Sequence, residues 1–87
     1  MKIHNIKDII FKITPKQISH ILSQLTHAPE LEPERIYEII TELSSNHNIF
    51  IMLNEDNKKI IGMVTLLIEQ KLIHGGKCVA HIEDLVV

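Results

Sequence analysis

The chain has 87 residues, a formal net charge of −2 and a hydrophobic fraction of 45%. This length allows one small domain over residues 1–87, and the apolar fraction argues against a disordered chain. Nine basic residues are outnumbered by eleven acidic residues, and no basic stripe is interleaved with aromatic residues. Nucleic-acid binding is therefore not expected.

The N-terminal segment, MKIHNIKDIIFKIT, lacks the uninterrupted apolar stretch of a secretory signal peptide. No apolar run is long enough to cross a bilayer, so no contact with a membrane is expected. The single cysteine, Cys78, excludes an internal disulfide and suits a reducing compartment. We therefore expect a cytoplasmic protein.

The first predicted element is a strand at residues 8–13, where apolar residues alternate at Ile9, Phe11 and Ile13. A helix is predicted next, at residues 15–26, because Thr14 and Gln17 can form a capping box around Pro15. The apolar stripe of this helix has the spacing of one buried face: Ile18, Ile21, Leu22 and Leu25.

The rest of the chain predicts one more helix, at residues 33–45, and then strands only. The strands are expected at residues 49–53, 60–68 and 78–87, separated by polar or glycine-containing turns. Gly62 interrupts the second of them, which indicates a bulge or a close approach of two backbones.

The predicted order of elements is β-α-α-β-β-β, which defines an α+β fold with a mostly antiparallel sheet. Strands that follow one another closely along the chain tend to be neighbours in the sheet. The two helices can cover one face of this sheet.

Two adjacent carboxylates, Glu83 and Asp84, stand in an otherwise apolar predicted strand. Neighbouring residues of a strand face opposite sides, so the two carboxylates meet different surroundings. One of them could therefore meet the amine of a ligand. The alternative is a solvated pair of charges at the exposed end of a strand.

The six histidines do not show the paired spacing of a metal site on a predicted helix, so no metal is expected. His81 is most simply a hydrogen-bonded structural residue. Lys71 precedes the glycine turn Gly75–Gly76 and could meet a phosphate. A solvated lysine before a hairpin turn is the alternative, since no helix follows the glycines.

Three segments together resemble glucosamine-6-phosphate N-acetyltransferases of the GNAT superfamily. They are Gln24-Leu25-Thr26, Lys71-Leu72-Ile73-His74 and His81-Ile82-Glu83-Asp84-Leu85-Val86-Val87. The resemblance covers nearly all of this chain and about the first half of a family member, and it implies a GNAT-like half-fold. The implied reaction is direct transfer of an acetyl group from acetyl-CoA to the amino group of an aminosugar phosphate.

The resemblance also implies roles for individual residues. Thr26 would contact the substrate, and Lys71, Leu72, Ile73 and His74 would line the sugar-phosphate site, often across the interface of a homodimer. Glu83 and Asp84 would be the catalytic pair that holds the substrate around its amino group. Leu85, Val86 and Val87 would offer their backbone to the acetyl and pantetheine arm of acetyl-CoA, with Leu85 also close to the substrate.

The family continues with an Arg/Gln-x-x-Gly-x-Gly/Ala loop that binds the pyrophosphate of CoA, and the 87 residues contain no such loop. We therefore expect the substrate-side half of an acetyltransferase that is inactive alone. A non-catalytic module that associates with itself is one alternative. A GNAT enzyme that acts on another amine is a second.

Overall fold

A computed structural model describes residues 2–87 as a four-stranded antiparallel sheet with helices packed on one face. The α+β class predicted from the sequence is confirmed. The strands follow the order β1-β2-β3-β4 across the sheet. In chain order the elements are β1 (Lys2–Asn5), α1 (Ile6–Ile9), a 3₁₀ turn (Ile10–Lys12), α2 (Pro15–Leu22), α3 (Pro33–Glu42), β2 (His47–Leu53), β3 (Ile60–Gln70) and β4 (Cys78–Val86).

The strand predicted at residues 8–13 is wrong, because this segment forms α1 and the 3₁₀ turn. The side chain of Asn5 accepts a hydrogen bond of 3.0 Å from the backbone N–H of Lys7, and this cap starts α1 at once. The isoleucines also have helical spacing, which competes with the alternation of period two: Ile6, Ile9, Ile10 and Ile13. The first strand lies earlier, in β1, where Lys2 pairs with Leu53 of β2.

The capping box predicted for α2 is present. The backbone N–H of Gln17 donates to Thr14 Oγ1 at 3.2 Å, and the backbone N–H of Thr14 donates to Gln17 Oε1 at 2.8 Å. The helix ends at Leu22, four residues before the predicted end at residue 26. Its last turn is closed by the hydroxyl of Ser23, which donates to the backbone oxygen of His20 at 2.6 Å.

The other predicted elements exist with shifted bounds. The helix predicted at residues 33–45 ends at Glu42, because Leu43 is already extended, with a ψ of 133°. β2 begins two residues before the predicted residue 49, and β3 continues to Gln70, two residues beyond the predicted end. β4 ends at Val86, one residue before the predicted end.

Gly62 has both of the features that the sequence suggested. Met52 lies opposite Gly62, and Leu53 lies opposite Ile60, so Ile61 is an extra residue in β3. A Cβ atom at Gly62 would lie 3.4 Å from the backbone oxygen of Val86 in β4. A larger residue here would therefore crowd the neighbouring strand.

The core lies between the helices and one face of the sheet and is dominated by isoleucine. Its buried members are Ile6, Ile9, Ile13, Ile18, Ile21, Ile36, Ile40, Ile51, Leu53, Met63 and Val86. At the rim of this helical layer, the rings of Phe11 and Tyr37 are 5.4 Å apart between centroids and tilted by 43°. The opposite face of the sheet, hereafter the open face, exposes large apolar side chains, including those of Ile3, Ile82 and Leu85.

Candidate active site

The hairpin between β3 and β4 carries the predicted segment Lys71–His74. The backbone N–H of Lys71 donates to the oxygen of Lys77 at 3.1 Å and closes the hairpin. Its tip needs three residues with positive φ in a row, at 54° for His74, 71° for Gly75 and 75° for Gly76. Two glycines therefore suit this turn, because glycine adopts such angles at no steric cost.

Two residues of the predicted segment extend into solvent at this tip. The exposed fraction is 97% for Leu72 and 62% for Ile73. Within residues 2–87 they line none of the cavities described below. Their predicted part in a sugar-phosphate site stays a prediction.

Lys71 and His81 meet at one carboxylate, that of Glu69 in β3. Lys71 Nζ lies 3.1 Å from Glu69 Oε2, and His81 Nε2 lies 2.9 Å from Glu69 Oε1. The hydrogen bonds from His81 and Lys71, followed by the charge of Lys71, lower the pKa of Glu69 below its ordinary value of 4.5. An ionised carboxylate only accepts hydrogen bonds, so Nε2 of His81 carries the proton. The structural reading of His81 as a hydrogen-bonded residue fits this contact.

Glu69 was missed when the sequence was interpreted. The signal that could have found it is its position two residues before Lys71, since side chains two residues apart in extended backbone lie on one side. The partner on β4 could not be found in this way, because the diagonal contact to His81 depends on the register of two strands. That register pairs Leu67 with His81 and Glu69 with Val79.

The carboxylate pair lies at a bulge in β4. Met63 lies opposite Val86 and Thr65 lies opposite Glu83, so two steps along β3 match three steps along β4. Asp84 takes up the extra residue with a φ of 51°, a left-handed conformation that aspartate tolerates better than most residues. A bulge leaves the extra residue unpaired and bends the strand that contains it, while Val86 pairs with Met63 beyond it. Unpaired N–H groups at such a point can stabilise an oxyanion.

Both carboxylates are exposed. Glu83 stands opposite Thr65, whose exposed fraction is only 7%, and shares its face of the sheet with His81, two residues earlier. Within residues 2–87, the carboxylates of Glu83 and Asp84 accept no hydrogen bond and form no ion pair. They are therefore available to a ligand at the point where the strand bends.

The structure does not bring Lys71 into contact with Glu83. The ammonium of Lys71 lies beside Glu69, at 3.1 Å from its Oε2. Along β3, Glu69 lies four residues beyond Thr65, the partner of Glu83. At about 3.3 Å per residue, this separation is roughly 13 Å between backbone levels. A ligand that meets both groups must therefore have polar groups at its two ends.

The three last residues have different surroundings. Val86 is buried in the core and has a backbone oxygen close to Gly62. A small apolar cavity of about 90 Å³ on the open face is lined in part by Leu85, Val86 and Val87. Val87 also borders a groove of about 480 Å³ beside α2, whose other lining residues include Lys16, His20 and Lys59.

Thr26 lies in the turn after α2 and is exposed. Its backbone N–H donates to the oxygen of Leu22 at 3.2 Å. No side-chain hydrogen bond within residues 2–87 joins Thr26 to Lys71 or Glu83. Its predicted contact with a substrate stays a prediction.

One further cavity, of about 490 Å³, lies between the 3₁₀ turn, α2 and α3. Its lining includes Phe11, Ile36 and Tyr37 and none of the predicted site residues.

In the part of the chain that the structure describes, no three His, Cys, Asp or Glu residues are placed to hold a metal ion. None of the helices formed by residues 2–87 has the length and apolar character needed to span a bilayer.

Comparison with known sequences identifies relatives over most of the chain. A probable glucosamine 6-phosphate N-acetyltransferase of Drosophila melanogaster is 30% identical over 89 aligned residues, which cover 100% of this chain and 39% of the relative. A glucosamine 6-phosphate N-acetyltransferase of Trypanosoma brucei brucei is 32% identical, covering 77% of this chain and 46% of the relative. No protein-family model matches the chain.

Comparison with solved structures gives the same result for the fold. The crystal structure of glucosamine-6-phosphate N-acetyltransferase from Arabidopsis thaliana superposes with a TM-score of 0.79 at 28% identity, covering 99% of this chain and 58% of that one. An acetyltransferase of Trypanosoma brucei superposes with a TM-score of 0.73 at 23% identity, over the same shares of the two chains. This second likeness concerns the fold.

The four-stranded antiparallel sheet and the helices on one of its faces thus match half of a GNAT-type acetyltransferase fold. The chain spans between 39% and 58% of the length of these relatives. Within that class, the relatives in sequence and the Arabidopsis structure are glucosamine-6-phosphate N-acetyltransferases, and the resemblance predicted from the sequence is confirmed.

Proposed function

We propose that the chain forms the acceptor-binding part of an N-acetyltransferase that acts on an aminosugar phosphate. The observation that supports this most is the bulge at Asp84, which bends β4 beside two exposed carboxylates. Both carboxylates are exposed at this irregular point of β4, where an amine can reach them. The names of the relatives supply the chemical identity of that amine.

In the proposed reaction, the 2-amino group attacks the thioester carbonyl of acetyl-CoA. The new N–C bond converts the carbonyl into a tetrahedral oxyanion, which collapses as the C–S bond breaks. The nitrogen then gives up its second proton, and the departing sulfur of CoA takes up a proton and leaves as the thiol. The ammonium must first lose a proton, which Glu83 or a water ordered by Glu83 accepts. Asp84 holds the amine in place from the bulge, while the backbone N–H groups of Leu85 and Val86 would donate hydrogen bonds to the oxyanion.

The other residues of the proposed site bind rather than react. The pantetheine arm of acetyl-CoA would lie along the backbone of Leu85, Val86 and Val87. The ammonium of Lys71 would meet the phosphate of the acceptor, a pairing that is strong because both groups are charged. Thr26 would contact the same sugar phosphate from the turn after α2.

A titration followed by NMR tests this proposal. Glucosamine 6-phosphate is added to the ¹⁵N-labelled chain, and amide shifts are expected at residues 81–87. The variant Glu83→Gln keeps the size of the side chain and should weaken binding, whereas Glu42→Gln, which changes an exposed glutamate at the end of α3, should not. Shifts scattered over α3, or equal binding by both variants, would refute the proposal.

The 87-residue chain alone is expected to show no steady-state acetyl transfer. It contains no Arg/Gln-x-x-Gly-x-Gly/Ala loop for the pyrophosphate of CoA. Turnover by this chain would contradict the expectation. A longer version that includes such a loop, assayed with a panel of amines, would distinguish an aminosugar phosphate from another amine as the acceptor.

A second candidate function is favoured by the open face. The exposed fractions of Ile82 and Leu85 are 69% and 60%, and β4 is an edge strand of the sheet. Exposed edges and apolar patches recruit partners. A homodimer in the cytoplasm, formed with or without catalysis, is part of this proposal, and its test is the oligomeric state in solution.

A further inference from the structure

We propose that Glu69 is a positioning residue, which holds the ammonium of Lys71 and the imidazole of His81 in place for the phosphate of the acceptor. This inference rests on the proposed function, because it assigns the phosphate to Lys71. Each oxygen of the carboxylate has its own partner. Glu69 Oε2 is 3.1 Å from Lys71 Nζ, and Glu69 Oε1 is 2.9 Å from His81 Nε2.

The three side chains lie on the face of the sheet that also carries Glu83. Glu69 lies near the end of β3, and Lys71 follows this end directly, with its ammonium on the same side of the sheet at 3.1 Å from Glu69 Oε2. His81 lies diagonally across on β4, because its direct partner is Leu67. Glu83 follows His81 by two residues, so the cluster and the proposed amine site are on one side of the sheet.

The cluster contributes little to the stability of the fold. The side-chain exposed fractions are 36% for Lys71, 45% for Glu69 and 39% for His81. Ion pairs in such exposed positions are weak, because water and salt screen them. A role in placing charge therefore explains the arrangement better than a role in folding.

A paired Lys71 is better prepared for a phosphate than a free one. Its ammonium has three N–H donors, and Glu69 occupies one of them, so two remain for phosphate oxygens. Without Glu69, the long side chain would extend from the start of a hairpin whose tip is almost fully exposed at Leu72. Ordering it before the ligand arrives lowers the entropy that binding must remove.

The test measures dissociation constants in a double-mutant cycle. Glu69→Gln keeps the length of the side chain and can still accept a hydrogen bond from His81, but it loses the charge that holds Lys71. We expect it to weaken binding of glucosamine 6-phosphate by up to about fivefold, the upper end of what an exposed ion pair contributes. In the background of Lys71→Met, the same substitution should have no further effect. Binding of glucosamine, which lacks the phosphate, should not respond to Glu69→Gln.

Glu55→Gln is a matched control. Glu55 also bridges a histidine and a lysine, with His4 and Lys58 both 3.6 Å away, but it lies in the turn between β2 and β3. This control should leave both affinities unchanged. Tighter binding by Glu69→Gln would overturn the proposal, since it would mean that the carboxylate competes with the phosphate. An undiminished effect in the Lys71→Met background would overturn it as well.

A measurement without ligand separates this inference from the proposed function. Glu69→Gln should shift the side-chain Cε–H signals of Lys71 and the imidazole ¹⁵N signals of His81, with the amide spectrum otherwise retained. If these signals do not move, Glu69 does not position either group and the inference fails. If they move but the unchanged chain binds no aminosugar phosphate, the proposed function and the phosphate role of the cluster both fail, while the ordering of Lys71 by Glu69 is established.

Discussion

At the scale of single residues, the carboxylates of the proposed site fall into two kinds. Glu69 is engaged by a lysine and a histidine, whereas Glu83 and Asp84 are exposed and without such partners within residues 2–87. The first kind organises its neighbours, and the second is open to a ligand. The two kinds give different expectations for pH and for substitution.

The pKa of Glu69 lies below its ordinary value of 4.5, because His81 and Lys71 donate hydrogen bonds to the ionised form. The folded state therefore binds this proton less readily than the unfolded chain. The stability that Glu69 contributes is present above pH 4.5 and is lost as the pH falls through its lower folded value.

A carboxyl ¹³C titration by NMR should give a midpoint for Glu69 below 4.5. The double variant Lys71→Met with His81→Leu removes both hydrogen-bond donors and should return the midpoint toward that value. A midpoint that is unaffected by these substitutions would show that the two contacts do not act on Glu69.

The conformation of Asp84 makes a prediction about substitution. With a φ of 51°, alanine at this position is strained by its Cβ atom, whereas glycine is not. We expect Asp84→Ala to be less stable than Asp84→Gly by about 1 kcal/mol. Urea denaturation of the two variants measures the difference, and equal midpoints would contradict the left-handed conformation.

The residues of the site could be predicted in part. Glu83 and Asp84 were predicted as candidates because they are two charged residues in an apolar strand. Their exposed positions in β4 are those of the alternative prediction, a solvated pair of charges. The positive φ of Asp84 could not be predicted, because it results from the register between β3 and β4. The ion pairs of Glu69 depend on the same register.

At the scale of elements, local signals decided where helices begin. The capping box of Thr14 and Gln17 starts α2 as predicted, and Asn5 starts α1 through the same kind of contact. The strand predicted at residues 8–13 failed because alternation and helical spacing coexist among its isoleucines. The capping residue Asn5, just before α1, was the signal that distinguishes the helix from a strand.

Removal of the cap of α2 should destabilise the protein measurably. Thr14→Ala leaves the backbone N–H of Gln17 without its 3.2 Å acceptor, and we expect a loss of about 1 kcal/mol in the free energy of unfolding. Thr41→Ala is a matched control in α3, where the hydroxyl bonds back to the backbone oxygens of Tyr37 at 2.8 Å and Glu38 at 3.1 Å and caps no N–H group. Thermal denaturation compares them, and an equal loss in both would argue against capping.

At the scale of the whole molecule, the sheet is covered on one face only by the elements that the structure describes. The helical layer buries the isoleucine core, while the open face exposes Ile3, Ile82 and Leu85. The prediction that two helices cover one face of an antiparallel sheet is confirmed, with α1 as an addition. Periodicity predicted this layer because it marks which side of a helix is apolar.

The open face should make the isolated chain associate as its concentration rises. Ile82→Ser removes an apolar side chain that is 69% exposed, so it should weaken association with little effect on folding. Phe11→Ser is a control on the helical side, where the side chain is 83% exposed. Light scattering measures the molar mass of the unchanged chain and of the two variants. If the unchanged chain is a monomer at high concentration, the proposed self-association loses its support.

The contact between Phe11 and Tyr37 gives the helical layer its own optical signal. The chain has one tyrosine and no tryptophan, so its tyrosine fluorescence comes from Tyr37 alone, whose ring is in contact with Phe11. Separation of α3 from the 3₁₀ turn would change that emission, whereas an event at the β3–β4 hairpin, on other elements, would not. A single spectrum can thus report loosening of the helices independently of what happens where a ligand would bind.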